Sequence, residues 1–347
     1  MDLKVGLTYN LKVKPDKEKG VPEDFYVEFD DEETVDSIGG ALAKVGCDVA
    51  KIEADEDAYE KLKQVKPRFV FNIAEGLRGE NRESQIPTML EMLGIPYTGS
   101  GPLTLGICLN KALTHQLLHI DGVPSFPFQV FSKGDERLRK DLKFPLVVKP
   151  LSEGSSKGIR NNSLVKDEPS LRERVSLIRE TYNQPAIVEK FLPGREFTVG
   201  LIGNEEPVVL PIVEILFDRL PAEANPLYSY EAKWVWDVPE KPLEMFQCPA
   251  DIPTNLEKKI KRMAIKTFKV LNCRDVCRID MRLDENDRPF VLEVNPLPGL
   301  IPNPDAHSCL PEAARTAGLS YDQLICTILY QALKRYNMQH LFEEKLW

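Results

Sequence analysis

Val276-Cys-Arg-Ile-Asp-Met-Arg-Leu-Asp-Glu-Asn-Asp-Arg-Pro-Phe-Val-Leu-Glu-Val-Asn-Pro-Leu-Pro-Gly299 is the stretch that the rest of the chain serves. Apolar and polar residues alternate on both sides of the polar turn 285–288, which predicts a β-hairpin with one apolar and one polar face. A turn centred on Asn286 and Asp287 places Asp280 opposite Glu293, and Arg278 opposite Asn295. We expect the apolar face to carry Cys277, Ile279, Met281, Leu283, Phe290, Leu292 and Val294.

Three oxygen-bearing side chains of the polar face, Asp280, Glu293 and Asn295, are predicted to converge on one cation. Two carboxylates and a carboxamide are hard ligands that suit Mg²⁺ or Mn²⁺ better than Zn²⁺. Arg278 beside them adds a fixed positive charge for a phosphate or an oxyanion. The alternative is the solvent face of an ordinary half-buried hairpin. A site is favoured because the second strand runs into a proline-rich loop, and binding groups usually lie on loops.

Composition restricts the class of protein. A chain of 347 residues can form two or three lobes, and a net charge of −9 without a basic stripe argues against nucleic acid as a partner. No apolar run is long enough for a membrane span, and residues 1–6 are predicted to start a strand rather than a signal peptide. We therefore expect a cytoplasmic protein with no membrane partner. The seven cysteines have no C-x-x-C spacing, so reduced thiols are expected.

The amino-terminal third predicts a βαβ pattern with a parallel sheet, from strands at 3–9, 49–52 and 69–72 and helices at 33–45 and 57–64. The loop 75–84 follows a strand at its carboxyl end, which is the usual ligand-binding edge of such a sheet; a plain polar connection is the alternative. A helix over about 105–120 is predicted to bear Lys111.

A domain boundary is predicted near 124–127, where the pattern changes towards antiparallel strands. The strand 144–149 ends in Lys149 and leads into the loop 151–158, whose small residues could wrap a phosphate or form a mobile surface turn. This loop lacks the Walker pattern, so a P-loop fold is disfavoured. Further predictions are a helix at 171–182, a hairpin from 186–192 and 195–202, a lid at 225–236 presenting Lys233, and helices at 256–270, 310–317 and 321–336.

Together these residues resemble the ATP-grasp ligases of the D-alanine–D-alanine ligase type. The resemblance covers almost the whole chain, with order and spacing kept. It is carried by Lys111, Val-Val-Lys149-Pro, Glu153-Gly-Ser-Ser, Val-Glu189-Lys-Phe-Leu, Gly194-Arg-Glu196-Phe-Thr-Val, Tyr228-x-Tyr-Glu-Ala-Lys233, Arg278-x-Asp280 and Leu-Glu293-Val-Asn295-x-x-Pro-Gly299.

The resemblance implies a mixed α/β fold of the ATP-grasp type in three lobes, with an amino-terminal α/β domain at 1–123 and two lobes clamping ATP at 124–203 and 204–347. It implies an ATP-dependent ligase that makes a dipeptide-like amide through an acyl phosphate, with ATP and two Mg²⁺ or Mn²⁺ ions as cofactors. An ATP-grasp small-molecule kinase and a non-catalytic nucleotide-binding protein are the alternatives. Amino-acid-like carboxylate and amine substrates are the implied partners, and a homodimer is expected.

Roles for single residues also follow from the resemblance. Arg278, Ser155 and Lys233 are the implied catalytic residues, and Asp280, Glu293 and Asn295 are the implied metal ligands. The residues implied to bind ATP are Lys111, Lys149, Glu153, Ser155, Ser156, Glu189, Lys190, Phe191, Leu192 and Glu196. The residues implied to contact the substrates are Glu75, Glu80, Arg82, Tyr228, Lys233, Arg278, Gly299 and Ser308.

The sequence departs from the family where the first amino acid binds. A Glu at 75 replaces the family's His, Arg82 enters the same loop, and Trp234 replaces the usual Tyr after the lid lysine. The family's amino-terminal acidic residue has no clear counterpart among residues 29–36. We expect Glu75, Glu80 and Arg82 to line a pocket for a donor other than D-alanine, with a Glu75–Arg82 ion pair as the alternative.

Overall fold

The amino-terminal domain is built on a parallel sheet. The structure, a computed structural model, describes residues 3–13, 21–238, 241–306 and 308–342, so the first two residues of the predicted strand start lie outside it. Three strands align in the order β2-β1-β3, as the βαβ pattern predicts. Helices flank this sheet. The elements are β1 Leu3–Tyr9, α1 Glu32–Lys44, β2 Cys47–Glu53, α2 Ala58–Val65, β3 Phe69–Asn72, α3 Gln85–Leu93, α4 Pro102–Leu109 and α5 Lys111–Ile120.

The single helix predicted over 105–120 is wrong, because Asn110 divides it into α4 and α5. Asn110 has extended backbone angles, and its side-chain oxygen accepts a hydrogen bond from the Leu113 N–H at 3.1 Å. That contact caps the new helix and satisfies one of its unpaired N–H groups. Lys111 consequently stands in the first turn of α5, where it is 3% exposed rather than solvated.

A four-stranded antiparallel sheet follows, in the order β4-β7-β5-β6. Helix α6 packs Leu171, Val175 and Ile178 onto one face of it. This sheet and helix consist of β4 Phe128–Phe131, β5 Leu146–Pro150, β6 Leu164–Val165, α6 Glu168–Tyr182 and β7 Ala186–Lys190.

The last sheet is antiparallel as well and has the order β11-β10-β8-β12-β13, with β9 on β8. Helix α7 covers it with Ile260, Ala264 and Phe268, and α9 reaches back to pack on α1. The elements are β8 Glu196–Ile202, β9 Val208–Val209, β10 Val213–Ile215, β11 Phe246–Gln247, α7 Thr254–Val270, β12 Val276–Leu283, β13 Pro289–Asn295, α8 Cys309–Thr316 and α9 Tyr321–Arg335.

The predicted hairpin from 186–192 and 195–202 is wrong, because β7 and β8 lie in different sheets. The connection through Gly194 crosses between them, and the Gly194 N–H donates to the Leu283 oxygen at 3.0 Å. A Cβ on Gly194 would lie 2.7 Å from that oxygen, so only glycine permits the approach. Sheet membership changes between Lys190 and Glu196, and the division into three lobes, with its boundaries, stays a prediction.

Within the described parts of the chain, no helix combines the length and apolarity needed to cross a bilayer. All seven cysteines are free thiols, as expected from their spacing.

Candidate active site

The hairpin β12–β13 has the predicted register at its ligand end. Arg278 pairs with Asn295 and Asp280 with Glu293. A bulge follows between Asp280 and Met281 and shifts the pairing towards the turn. The expectation that Phe290 and Leu292 lie on the core face is therefore wrong. Val291 takes the buried position at 2% exposure, and Leu292 lines the cavity beside Glu293.

Asp280 is the most densely bonded carboxylate on the polar face. It accepts hydrogen bonds from Arg278 Nε at 3.1 Å and Nη2 at 3.0 Å, and from the Thr198 hydroxyl at 2.7 Å. The Asn295 side-chain amide donates to the same carboxylate at 3.0 Å. Burial lowers the pKa of Arg278, but the charge and hydrogen bonds of Asp280 together with the nearby Cys309 and Glu293 outweigh it, and the net shift is upward. Arg278 is thus a fixed cation at the centre of the site.

Glu293 meets the buried lysine of α5. Its Oε1 lies 2.8 Å from Lys111 Nζ, which also donates to the backbone oxygen of Glu153. Burial raises the pKa of Glu293, whereas the charges of Lys111 and Lys149 lower it, and the net shift is downward. The carboxylate stays ionised, and the helix break at Asn110 is what brings Lys111 to it.

Lys149 at the end of β5 forms a second buried pair. Its Nζ lies 2.8 Å from Glu189 Oε2, and His115 Nε2 is 3.4 Å from the other oxygen of that carboxylate. Burial opposes ionisation, but the Lys149 charge and the nearby His115 imidazole bring the pKa of Glu189 down to about 2. Sequence reasoning did not single out His115, since one histidine on an amphipathic helix gives no signal.

The next residues, Lys190, Phe191 and Leu192, also line the cavity. Glu196, another lining residue, is the first residue of β8. Lys190 Nζ bonds the exposed Glu285 at 3.1 Å. Glu196 is buried and bonded to Arg282 at 3.0 Å, and burial raises its pKa to about 6. Sequence reasoning missed Arg282, although its alternation with Arg278 and Asp280 places it on the polar face.

The loop 151–158 and the lid segment 225–236 close on each other. The Ser156 hydroxyl donates to the Tyr228 backbone oxygen at 2.7 Å, and the Trp234 indole N–H donates to the Ser155 oxygen at 3.2 Å. Ser155 and Ser156 have positive φ angles of 47° and 62°. Both serines and both aromatic residues line the cavity, so the lid prediction is supported by direct contact between the two segments.

Residues predicted to hold the second amino acid lie together at the lid end of the cavity. The Ser308 hydroxyl donates to the Gly299 oxygen at 3.2 Å, and Lys233 and Arg278 line the same space. Burial and the neighbouring Arg278 charge lower the pKa of Lys233 to about 8. Cys309, which sequence reasoning missed, also lines the cavity here, and burial raises its pKa to about 11.

Of the three residues that the loop 75–84 was predicted to contribute to the substrate pocket, the structure places one at the cavity. Glu75 lines the cavity, but Glu80 is exposed and outside it, because the turn carrying it points to solvent. Arg82 is 6% exposed and also outside the cavity lining. It does not pair with Glu75; its Nη2 binds Glu28 at 2.7 and 2.9 Å.

Glu153 belongs to the same buried cluster as Arg82. Its carboxylate lies 3.2 Å from Arg82 Nη2 and 2.9 Å from Lys157 Nζ, and Gln184 donates to it at 2.7 Å. Its backbone oxygen accepts from Lys111, whereas its carboxylate is held in this cluster, and the role of Glu153 in binding ATP stays a prediction. Glu28, missed by sequence reasoning, also accepts the Gly154 N–H at 2.7 Å and so binds the loop 151–158 to the amino-terminal domain.

The donor set of the hairpin fits a hard divalent cation. Asp280 and Glu293 lie opposite each other at one wall of the cavity, and each is balanced by a single cationic side chain, Arg278 or Lys111. In the described ranges no three His, Cys, Asp or Glu side chains cluster as a metal site, so the two carboxylates and the Asn295 carboxamide are the available oxygen donors.

Comparisons with known proteins agree with this arrangement. The family model described as the D-Ala D-Ala ligase C-terminus matches residues 117–330. The D-alanine–D-alanine ligase of Pelotomaculum thermopropionicum is 33% identical over 311 residues, covering 87% of this chain and 91% of that protein. A Sinorhizobium fredii protein, described as uncharacterized protein y4sG, is 40% identical over 310 residues, covering 87% of this chain and 88% of its own.

Among solved structures, the D-alanine–D-alanine ligase from Bacillus anthracis complexed with ATP superposes with a TM-score of 0.72 at 25% identity. The match covers 96% of this chain and 99% of that one. It confirms the predicted ATP-grasp fold. The chain belongs to the D-alanine–D-alanine ligase family and is an ATP-grasp enzyme, an ATP-dependent ligase that forms C–N bonds.

Proposed function

We propose that this ligase joins two amino-acid-like substrates through an acyl phosphate, and that its carboxylate donor is not D-alanine. One observation carries the proposal: Arg278, the carboxylates Asp280 and Glu293, and the lysines Lys149 and Lys233 all line one cavity. Such a set neutralises phosphate charge and holds carboxylates. The donor proposal is supported by Glu75, which puts an acid where the family has a histidine.

ATP is proposed to lie between the two antiparallel sheets. Lys111 and Lys149 hold its phosphates, residues 189–192 line the adenine site, and Glu196 accepts from the ribose. The loop serines Ser155 and Ser156 cover the γ-phosphate. Their backbone N–H groups form no hydrogen bond to other described residues, whereas those of Gly154 and Gly158 are occupied by acidic side chains from residues 24–28.

Asp280, Glu293 and Asn295 are proposed to hold Mg²⁺, as two ions. When bound, the metal neutralises charge on the phosphates. A donor carboxylate oxygen attacks the γ-phosphorus, the bond from phosphorus to ADP breaks, and an acyl phosphate forms. The acceptor amine then attacks the carbonyl carbon, phosphate leaves with the C–O bonding electrons, and the nitrogen loses a proton.

Arg278 is proposed to stabilise the oxyanion of that tetrahedral intermediate, because it is buried beside the hairpin and always charged. Lys233 and Ser308 are proposed to hold the acceptor carboxylate, with Tyr228 and Gly299 shaping the pocket. The contact between the lid and the loop 151–158 excludes water, which would otherwise hydrolyse the acyl phosphate. We also propose a homodimer, which sedimentation equilibrium tests directly.

The test is a phosphate-release screen with Mg-ATP against pairs of D- and L-amino acids and other carboxylates. A ligase releases phosphate only when both donor and amine are present. A kinase accumulates phosphorylated donor without an amine, and a non-catalytic protein releases no phosphate. Release that does not depend on the amine contradicts the proposal.

Glu293→Gln tests the metal face, because it removes one charge from the proposed metal site while keeping the shape of the side chain. We expect kcat to fall by about 100-fold or more. Asp287→Asn, at an exposed position with positive φ in the same hairpin's turn, is the matched control and should keep full activity. Near-normal activity of Glu293→Gln at low Mg²⁺ would show that this face does not hold the metal.

A further inference from the structure

The cavity has an acidic end where the amino-terminal domain contributes its walls. Asp30, Glu75 and Glu83 line this end. Glu83 is 8% exposed, and its carboxylate accepts no hydrogen bond and forms no ion pair with any residue in the described ranges. The side chains of Asp30 and Glu75 likewise have no such partner there. Among the described residues, three carboxylates therefore face the cavity without an ion pair, although the more distant charges of Lys12, Arg82 and Lys111 act on them.

Neighbouring buried carboxylates, in contrast, form ion pairs with cationic side chains. Glu28 is held by Arg82 at 2.7 Å and by Lys157 at 3.9 Å, and Glu153 is held by Arg82 and Lys157. A buried charge without a partner is costly, so carboxylates that have only a structural role are paired. The unpaired ones face the space that a ligand would fill.

The pKa shifts of the three carboxylates are those expected where a cationic ligand group binds. Burial raises the pKa of Glu83 to about 7, and burial together with the charges of Glu83 and Glu28 raises the pKa of Glu75 well above its ordinary value. Burial and the adjacent Asp31 raise the pKa of Asp30 to about 7. A positive group placed among them would restore their ionised forms.

The three acids line the same cavity as Arg278, Asp280 and Glu293. The pKa of Glu83 responds to the charges of Arg82, Glu28, Lys111 and Glu293, and that of Glu75 to the charges of Glu83, Glu28, Arg82 and Asp30. A donor whose carboxylate lay at Arg278 and the metal face would share this cavity with Glu83 and Glu75. An amino acid with a neutral side chain brings only one ammonium group to this end.

We propose that Glu75 and Glu83, with Asp30 beside them, form a subsite for a positively charged side chain of the carboxylate donor. The donor class is then a diamino acid or another amino acid with a cationic side chain. This inference rests on the proposed ligase function, because it assumes that the amino-terminal end of the cavity holds the donor.

Calorimetry tests the subsite without requiring turnover. Each enantiomer of ornithine and of lysine is titrated into the full chain with Mg²⁺ and a non-hydrolysable ATP analogue, and the neutral chain-length analogues norvaline and norleucine are the matched ligands. We expect at least one diamino acid to bind about 10- to 100-fold more tightly than its neutral analogue, as one or two charge-assisted hydrogen bonds allow.

Glu83→Gln and Glu75→Gln should each remove most of that preference, measured within one variant as the ratio of its affinities for the charged and the neutral analogue. Both substitutions keep the side-chain shape, and circular dichroism checks that each variant folds. Glu80→Gln is the matched control, since Glu80 is on the same loop but exposed and outside the cavity, and it should keep the wild-type preference.

Equal affinity for the charged and neutral analogues in wild type overturns the subsite, as does the absence of binding by any diamino acid. A preference that survives in both Glu83→Gln and Glu75→Gln also overturns it. Phosphate release separates the two proposals. Amine-dependent release with neutral donors at the same kcat/KM as diamino donors refutes the subsite and leaves the ligase. Charge-selective binding without amine-dependent release supports the subsite and refutes the ligase mechanism.

Discussion

Arg82→Met tests whether Arg82 has a structural role or contacts substrate. The guanidinium is 6% exposed, and it joins the amino-terminal domain to the loop 151–158. It donates to both oxygens of Glu28, at 2.9 and 2.7 Å, and to the Ser152 backbone oxygen at 2.9 Å. Methionine retains the length and the apolar volume but removes the charge and every donor.

The magnitude follows from what the substitution leaves behind. Removing one partner of a buried ion pair costs roughly 3–5 kcal/mol, because the other charge remains buried without compensation. Glu28 keeps the Gly154 N–H at 2.7 Å and the more distant Lys157 ammonium, and Glu153 keeps Lys157. These remaining contacts favour the lower end, so we expect a loss of about 3 kcal/mol.

The loss should depend on pH. Burial raises the pKa of Glu28, the charges of Arg82 and Lys157 lower it, and the net shift is downward. A carboxylate with a depressed folded pKa stabilises the protein above its unfolded pKa, and that stabilisation is lost as the pH falls through the folded value. In Arg82→Met, protonation of Glu28 relieves the unpaired charge. The difference from wild type should therefore be largest near pH 7 and smaller near pH 4.

Urea denaturation followed by circular dichroism, at both pH values, measures the loss, and hydrogen exchange of residues 21–31 and 151–158 shows whether it is local. Arg78→Met is the matched control, because Arg78 is on the same loop with an 83% exposed side chain, and it should unfold like wild type. A variant of Arg82 that keeps wild-type stability but loses donor affinity would refute this reasoning. It would restore Arg82 to the substrate pocket.

Two further predictions concern lysines of the cavity. Lys149→Ala should weaken ATP binding by about 10- to 100-fold, because it removes one charged hydrogen-bond donor. Calorimetry measures this loss, and Lys140→Ala, at an exposed position, is the control. Unchanged ATP affinity would show that Lys149 serves only as the ion-pair partner of Glu189. Because the pKa of Lys233 is lowered to about 8, its positive charge is lost as the pH rises through that value. The dissociation constant of an acceptor carboxylate should rise about tenfold between pH 7 and 9, and a flat profile would exclude Lys233 as its partner.

The sequence alone determined the features that depend on short-range pattern. The alternation around the turn 285–288 correctly paired Asp280 with Glu293, because the period of a strand and the position of its turn set the register. Strands β1 and β3 were predicted at their observed limits, since short apolar runs between polar segments mark buried parallel strands. The family was also evident from sequence, through motifs kept in order over almost the whole chain.

Only the tertiary structure decided which charges line the cavity and which pair with each other. The loop 75–84 contains acids of similar sequence character, yet Glu80 is in solvent, Glu75 and Glu83 face the cavity, and Arg82 is buried against Glu28. Glu28 lies 54 positions from Arg82 and Glu153 lies 71 from it in the other direction, so no local pattern relates them. Buried charges are satisfied by whichever partner the packed domains bring within hydrogen-bonding distance, and that choice depends on contacts between lobes that are distant in sequence.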